Sequence, residues 1–163
     1  MSVVADSSPL IFLAKIDKLS LLSQLYGNRL VIPEPVKAEV LRPKLRSDDA
    51  YILSKFIEGC MVLPVPRIRC FAQALSAADN AALTLAVRRK AERLLVDERL
   101  MRRIAEAEGI IATGTIGILF AGVKAQIISP NEATDDLRRL VLSAGFRIAV
   151  SVYEAALEAF RKA

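Results

Sequence analysis

The sequence predicts an α/β fold built on a mostly parallel central sheet of about five strands. Short apolar runs alternate with helix-length segments along the chain, as in sheets whose parallel strands are joined by crossover helices. The runs are apolar throughout instead of alternating, which is typical of strands buried on both faces. With 163 residues and no internal repeat or linker, residues 1–163 are expected to form one domain with a sizeable core.

Five strands are predicted from these runs. They lie at residues 2–5, 30–32, 61–63, 94–96 and 110–112. Helices are predicted between and after them, at residues 8–16, 19–26, 47–59, 76–92, 98–109 and 113–126, with two more at about 131–143 and 150–161. A further short helix starts at Pro33 and Pro35 and carries Val36, Glu39 and Val40, because Pro favours the first helical turn.

Individual residues predict where two helices end and how the C-terminal helices pack. Gly27 and Gly109 end two of the helices, since glycine readily adopts the conformation that closes a helix. The last helix carries an apolar stripe that includes Val152 and Phe160. The two C-terminal helices, at about 131–161, are therefore expected to pack on the core or on a dimer partner.

The chain is rich in apolar residues, which favours a well-buried core and an apolar surface that a partner covers. Hydrophobic residues make up 53% of the chain and the mean hydropathy is +0.37, yet no apolar run approaches the ~18 residues of a membrane span. We therefore expect no membrane association, and a partner or a second copy, as in a homodimer, over the apolar surface. The N-terminus shows no signal-peptide pattern, and the isolated Cys60 and Cys70 fit reduced thiols in the cytoplasm.

The absence of histidine narrows the chemistry. Without it, the chain has no Ser-His-Asp triad, no Cys-His pair and no HExxH zinc site. An enzyme with this composition must use carboxylates, hydroxyls, lysine or arginine, with or without a hard metal ion. The net charge of +5 is compatible with a polyanionic partner but does not require one.

Two carboxylates follow predicted strands at the point where each strand ends. Asp6 follows the first strand, and Asp97 follows the fourth with Glu98 next to it. The carboxyl ends of parallel strands share one edge of the sheet, so the two acids are expected to approach each other. They would then need a cation such as Mg²⁺ or Mn²⁺, or one of them would take up a proton. The alternative is that each acid simply caps the helix that follows it.

Two further acids carry weaker signals. Glu39 lies one turn after Val36 and borders the apolar face of its helix, although a solvated glutamate is the simpler interpretation. Asp79 opens the helix in "SAADNAA", where an acid also interacts favourably with the helix dipole. Neither residue identifies a site by itself.

Four blocks, in order, resemble the PIN-domain superfamily. They are "VVADSSPLIFLAKI", "VIPEPVKAEV", "LLVDERLMRRIAEAEG" and "TGTIGIL", and the likeness is greatest to a prokaryotic branch with an N-terminal D-[TS]-S-P-L-I signature. The resemblance runs from about residue 3 to residue 119, and the helical tail also fits. It implies a three-layer α/β/α sandwich and a Mg²⁺- or Mn²⁺-dependent ribonuclease, with RNA as substrate. Many relatives are toxins that a small antitoxin protein neutralises.

The resemblance also assigns residues to roles. The four acids that would hold the metal and carry catalysis are Asp6, Glu39, Asp79 and Asp97. Supporting roles fall on Ser8, which could orient Asp6, and on Glu98 and Thr115. Substrate phosphates would meet Arg99, Arg102 and Arg103, which could equally form a solvated helix face.

The chain departs from the branch near the third acid. The branch has a Gly-Glu-x-Glu pattern where this chain reads "AADNAA", so Asp79 is shorter than Glu and Ala81 supplies no second carboxylate. A second interpretation is therefore a catalytically weak or silent PIN-fold module that binds nucleic acid or protein. A phosphotransfer fold is disfavoured, because "ADSS" has neither the acid pair nor the D-x-D that such folds use.

Overall fold

The computed structural model describes residues 1–42 and 47–163, and its central element is a five-stranded sheet. The strands are β1 (Val3–Ala5), β2 (Leu30–Pro33), β3 (Met61–Leu63), β4 (Arg93–Leu95) and β5 (Ile111–Thr113). Each predicted strand is present, with bounds that differ by at most one residue.

Helices surround this sheet. They are α1 (Ser7–Lys15), α2 (Ser20–Tyr26), α3 (Glu34–Val40), α4 (Ser47–Glu58), α5 (Ala77–Arg88), α6 (Arg99–Ala107), α7 (Thr115–Lys124), α8 (Pro130–Leu142) and α9 (Val150–Lys162). A 3-10 turn over Gly27–Arg29 joins α2 to β2. Among the helices of the described ranges, none combines the length and apolarity that crossing a membrane requires.

The sheet is parallel and has β1 at its centre. The strand order is β3-β2-β1-β4-β5, and every neighbouring pair runs in the same direction. The chain moves outward from β1 to β3, then crosses to β4 and moves outward on the other side. Such a reversal opens a crevice at the carboxyl ends of the two central strands, where ligands bind in open α/β sheets.

The helices form the two outer layers of a three-layer α/β/α sandwich, as predicted. Because parallel crossovers are right-handed, α5 and α6 lie on one face and the helices before β3 lie on the other. α5 packs on β1, β2 and β4, and α7 contacts α2, α8 and α9. In the C-terminal helices, Leu137 and Phe160 are buried against the core.

The ends of β1 and β4 are offset, which changes where the acids lie. Asp6 directly follows β1, and its amide donates a hydrogen bond to the carbonyl of Leu95 at 2.9 Å. β4 ends at Leu95, one residue earlier than predicted, so Asp97 is the second residue past the strand and not the first. Since one residue advances an extended chain by about 3.3 Å, the two acids are not level with each other.

Candidate functional site

Three carboxylates meet at the carboxyl edge of the sheet. Asp6, Glu39 and Asp79 each contribute one oxygen to a group whose members lie within 4.8 Å of one another. Asp6 comes from the β1–α1 junction, Glu39 from the last turn of α3 and Asp79 from the first turn of α5. Residues more than thirty positions apart in sequence are thus collected at one point, as ligands of an ion would be.

The surroundings of Asp6 distinguish ligand binding from helix capping. Asp6 occupies the N-cap position of α1, yet its side chain accepts no capping hydrogen bond. It is 3% exposed, and its Oδ1 atom is buried without a hydrogen-bond partner. A buried polar atom without a partner is costly, and such atoms are rare in native proteins. The geometry therefore favours a ligand role over a capping role for this carboxylate.

The electrostatics of Asp6 support the same conclusion. Burial is the main cause that raises its pKa from the usual 3.8 to about 7. The nearby amide of Ser7 lowers the pKa, while the neighbouring Asp79, Glu39 and Asp97 carboxylates raise it further. The folded chain thus destabilises the ionised form of Asp6, and a cation placed among these acids would restore it.

Glu39 is oriented by a serine hydroxyl. The Ser7 hydroxyl donates a hydrogen bond to Oε2 of Glu39, and Val36 and Val40 on either side of Glu39 are buried. The sequence assigned the orienting role to Ser8, acting on Asp6, but no hydrogen bond joins these two residues in the described structure. Ser7 is the first residue of α1 and faces inward, whereas Ser8 is rotated by about 100° and borders a surface groove.

Asp79 caps its helix and faces the acidic group at the same time. The Ser76 amide donates to Oδ2 of Asp79 at 3.0 Å, and the Asp79 amide donates to the Ser76 hydroxyl at 3.1 Å. These reciprocal bonds form a capping box at the start of α5. The two interpretations of Asp79 in the sequence, helix-start acid and site acid, are therefore compatible in the structure.

Asp97 lies outside the group of three. Its Oδ1 accepts a hydrogen bond from the Thr115 amide and its Oδ2 accepts one from the Thr115 hydroxyl, both at 2.7 Å. Burial raises the pKa of Asp97, whereas the two Thr115 bonds and the positive charge of Arg102 lower it. The expected convergence of four carboxylates is thus found for three of them, because the offset of β4 carries Asp97 toward the start of α7.

A side chain at the start of α7 would crowd Asp97 and Arg102. A Cβ atom at Gly114 would lie 2.8 Å from Nη1 of Arg102 and 2.8 Å from Oδ1 of Asp97. Thr115, the next residue, is fully buried. The Thr-Gly-Thr turn therefore lets Arg102, Asp97 and the α7 N-terminus approach each other closely.

Glu98 has a local structural role. Its carboxylate accepts a hydrogen bond from the Met101 amide at 2.7 Å, which caps the N-terminus of α6. The side chain is exposed and does not belong to the group of three acids. The predicted supporting residue thus acts on the helix that carries Arg99, Arg102 and Arg103.

A groove of about 1580 Å³ runs along β5, and its lining does not include Asp6, Glu39 or Asp79. Ser8 and Asp97 border it, and its lining includes the three arginines predicted to contact phosphates. Further positive side chains in the lining are Arg29, Arg93, Lys124 and Arg147. The positive side chains of the lining outnumber its acidic ones, which include Glu92, Asp97 and Glu106, and such a groove suits a polyanion.

The sequence did not identify three residues of this region as part of the site. Ser7 could not be separated from Ser8, because their difference depends on the rotation of α1. Gly114 carries no signal beyond its place in a turn. Asn80 does carry one, since it is a polar side chain in a helix whose neighbouring residues are mostly alanine and leucine, and it is 6% exposed.

Comparison with known proteins identifies one family. The model of family DUF3368, described as a PIN domain, matches residues 2–162 of the chain. No curated protein matches the sequence.

Proposed function

Because the chain belongs to the PIN-domain family, whose members are generally nucleases, we propose that it is a metal-dependent endoribonuclease. The reaction is hydrolysis of RNA phosphodiesters in the cytoplasm, with Mg²⁺ or Mn²⁺ held by the carboxylates at the sheet edge. The observation that carries the proposal is the unpartnered, buried Oδ1 atom of Asp6, which lies in a group of three carboxylates.

The donor set fits a hard divalent cation. Asp6, Glu39 and Asp79 offer oxygen atoms only, and Mg²⁺ and Mn²⁺ prefer oxygen ligands. A cation would also supply the partner that Oδ1 of Asp6 lacks and would offset the repulsion that raises its pKa. Such an ion supplies an activated water and neutralises charge on the cleaved phosphate.

Neighbouring side chains hold the carboxylates of the site in position. The Ser7 hydroxyl fixes Glu39, and the Ser76–Asp79 capping box fixes Asp79, so two of the ligands are held before an ion arrives. Thr115 holds Asp97 in the wall of the groove, where the carboxylate would orient water or add negative charge to the centre. No step requires histidine, in agreement with the composition.

The groove supports RNA as the substrate. Arg99, Arg102 and Arg103 line it next to Asp97 and would bind the phosphates that flank the cleaved bond. Arg102 lies against Asp97 and Gly114, and it would contact the phosphate under attack.

The toxin role, a small antitoxin and a homodimer form the finer part of the proposal. Ile111 and Val152 are about half exposed and border the groove at the free edge of β5, among basic side chains. A small partner with acidic and apolar residues would cover this surface and block the groove. Leu142 and Val150 are 76% and 77% exposed on the C-terminal helices and support a contact with a second copy.

RNA cleavage with and without metal tests the function. The purified protein should cleave RNA with Mn²⁺ and not with EDTA, and Asp6→Asn should lower the rate by roughly 100-fold or more, since it removes a ligand at the centre. Asp17→Asn is the matched control, because Asp17 is an exposed acid at a φ of 56°, which asparagine tolerates. RNA binding without cleavage by the wild-type protein would refute the enzyme and favour a binding module.

A further inference from the structure

A polar ladder runs along one face of α5, the helix that presents Asp79. Asn80 and Thr84 lie one turn apart, are 6% and 3% exposed, and accept hydrogen bonds from the chain segment that precedes the helix. That segment, residues 66–76, has neither helix nor strand structure. Its backbone therefore needs partners, and side chains of α5 supply them.

Asn80 binds the part of the segment nearest the centre. Its Oδ1 atom accepts a hydrogen bond from the Phe71 amide at 2.8 Å. Its Nδ2 atom lies 3.4 Å from the carbonyl oxygens of Ala72 and Leu75 and 3.2 Å from that of Ser76. One buried amide thus gathers both ends of the turn that closes at Ser76.

Ser76 connects this turn to the acidic centre. It is the residue that forms the reciprocal capping box with Asp79. The Asp79 carboxylate is held through Oδ2 by the Ser76 amide, so the position of Ser76 determines where the other Asp79 oxygen points. A displacement of the 71–76 turn would move Ser76 and would change the distances from Asp79 to Asp6 and Glu39.

We propose that Asn80 is a positioning residue of the acidic centre, which acts on Asp79 through the 71–76 turn and the Ser76 capping box. The inference rests on the proposed function, because it gives Asn80 a part in metal binding at that site. It goes beyond the function by naming a residue outside the group of acids on which the affinity for the ion depends.

Thr84 provides a matched control within the same ladder. Its hydroxyl accepts a hydrogen bond from the Arg69 amide at 3.0 Å and donates one to the Asn80 carbonyl at 2.7 Å. It is as buried as Asn80 and holds the same segment, but it lies one helical turn farther from Asp79. A purely structural role predicts similar effects for the two residues on metal binding, whereas a positioning role predicts different effects.

The test compares the Mn²⁺ affinity of the metal-free full chain and its variants, by titration followed by electron paramagnetic resonance of free Mn²⁺. Asn80→Ala should weaken Mn²⁺ binding by about tenfold, the loss typical when a residue that orients a ligand is removed. Thr84→Val should keep the affinity within about twofold of wild type while its melting temperature falls. Circular dichroism establishes that each variant is folded at the temperature of the titration.

Ser76→Ala keeps the proposal testable if Asn80→Ala does not fold. This variant keeps the Ser76 amide that holds the Asp79 carboxylate but removes the hydroxyl that accepts from the Asp79 amide. The exposed N-cap is then held less firmly against Asp79, so Mn²⁺ binding should weaken by several-fold. If wild type, folded Asn80→Ala and Ser76→Ala bind Mn²⁺ with equal affinity, the positioning role of Asn80 is overturned while the proposed function stands. A wild-type protein that binds no Mn²⁺ would instead overturn the proposed function, and with it the role of Asn80.

Discussion

Replacing Asp6 by asparagine should stabilise the metal-free protein at neutral and alkaline pH. In the folded chain this carboxylate is 3% exposed, has one unpartnered oxygen and lies among three other acids. Asparagine has nearly the same shape and no charge, so it removes the repulsion without leaving a cavity. Its amide group can also donate hydrogen bonds to the neighbouring carboxylates.

The size and the pH range of the effect follow from the pKa. A rise from 3.8 to about 7 corresponds to roughly 4 kcal/mol in favour of the neutral carboxyl. Between these pH values the folded state holds a proton that the unfolded state has lost, so the free energy of unfolding falls as pH rises. The Asp6→Asn variant lacks this loss, so it should match wild type near pH 4 and exceed it by up to roughly 4 kcal/mol at pH 8.

Urea unfolding in EDTA at pH 4, 6 and 8 measures this difference. Mn²⁺ should narrow the difference at pH 8 to roughly 1 kcal/mol, since at a concentration of about 100 times its Kd it would stabilise wild type by about 2.7 kcal/mol and leave the variant unchanged. Asp17→Asn serves as the control and should follow the wild-type pH dependence. If Asp6→Asn and wild type lose stability in parallel between pH 4 and pH 8 in EDTA, Asp6 is not a buried, unpaired charge and the reasoning fails.

Two further substitutions test the contacts that support the site and the fold. Thr115→Val should lower the free energy of unfolding by about 2 kcal/mol, because it leaves Oδ2 of Asp97 without its hydroxyl donor. Thr115→Ser keeps the donor and should lower the free energy of unfolding by less than about 1 kcal/mol. Equal losses for the two variants in urea unfolding would argue against this bond. Lys18→Met should cost about 2 kcal/mol, because Asp136 is 2% exposed and lies 3.5 Å from the Lys18 ammonium group. Adding Asp136→Asn should recover most of that loss, since burial already raises the pKa of Asp136, and additive losses in the double variant would contradict the pairing.

The strands could be predicted closely because the apolar runs of the sequence indicate which segments are buried. Residues of β1 and β2 are buried on both faces, so their runs are apolar without alternation. The bounds could not be fixed to the residue, because they depend on the partner strand. β4 starts at Arg93 since the backbone pairs it with Val3, although a charged side chain does not suggest a buried strand.

The shift of β4 by one residue changes the arrangement of the acids in the site. The sequence placed Asp6 and Asp97 at equivalent strand ends, and the structure separates them by one position. The family resemblance ordered the acids along the chain but contained no information on the register between β1 and β4. Side-chain contacts are also set by helix rotation, which explains why Ser7 and not Ser8 contacts an acid.

Residues 43–46 lie between α3 and α4. The fourth predicted helix, at 47–59, is present as Ser47–Glu58, and the chain before it, at 43–46, lies outside the described residues. The neighbouring Glu39 is unaffected, because Ser7, Val36 and Val40 define its position.

The departure at "AADNAA" does not by itself dismantle the centre. Asp79 is shorter than glutamate, but the capping box at the start of α5 places one of its oxygens within 4.8 Å of Asp6 and Glu39. Ala81 is fully buried, so this position contributes to the core in this chain, where a carboxylate would add a buried charge. Oxygens of one Mg²⁺ or Mn²⁺ shell lie up to about 4 Å apart, so donors that lie within 4.8 Å of one another would have to move closer together by less than about 1 Å to share a single ion. A centre of two ions about 4 Å apart would need ligands in addition to these three carboxylates.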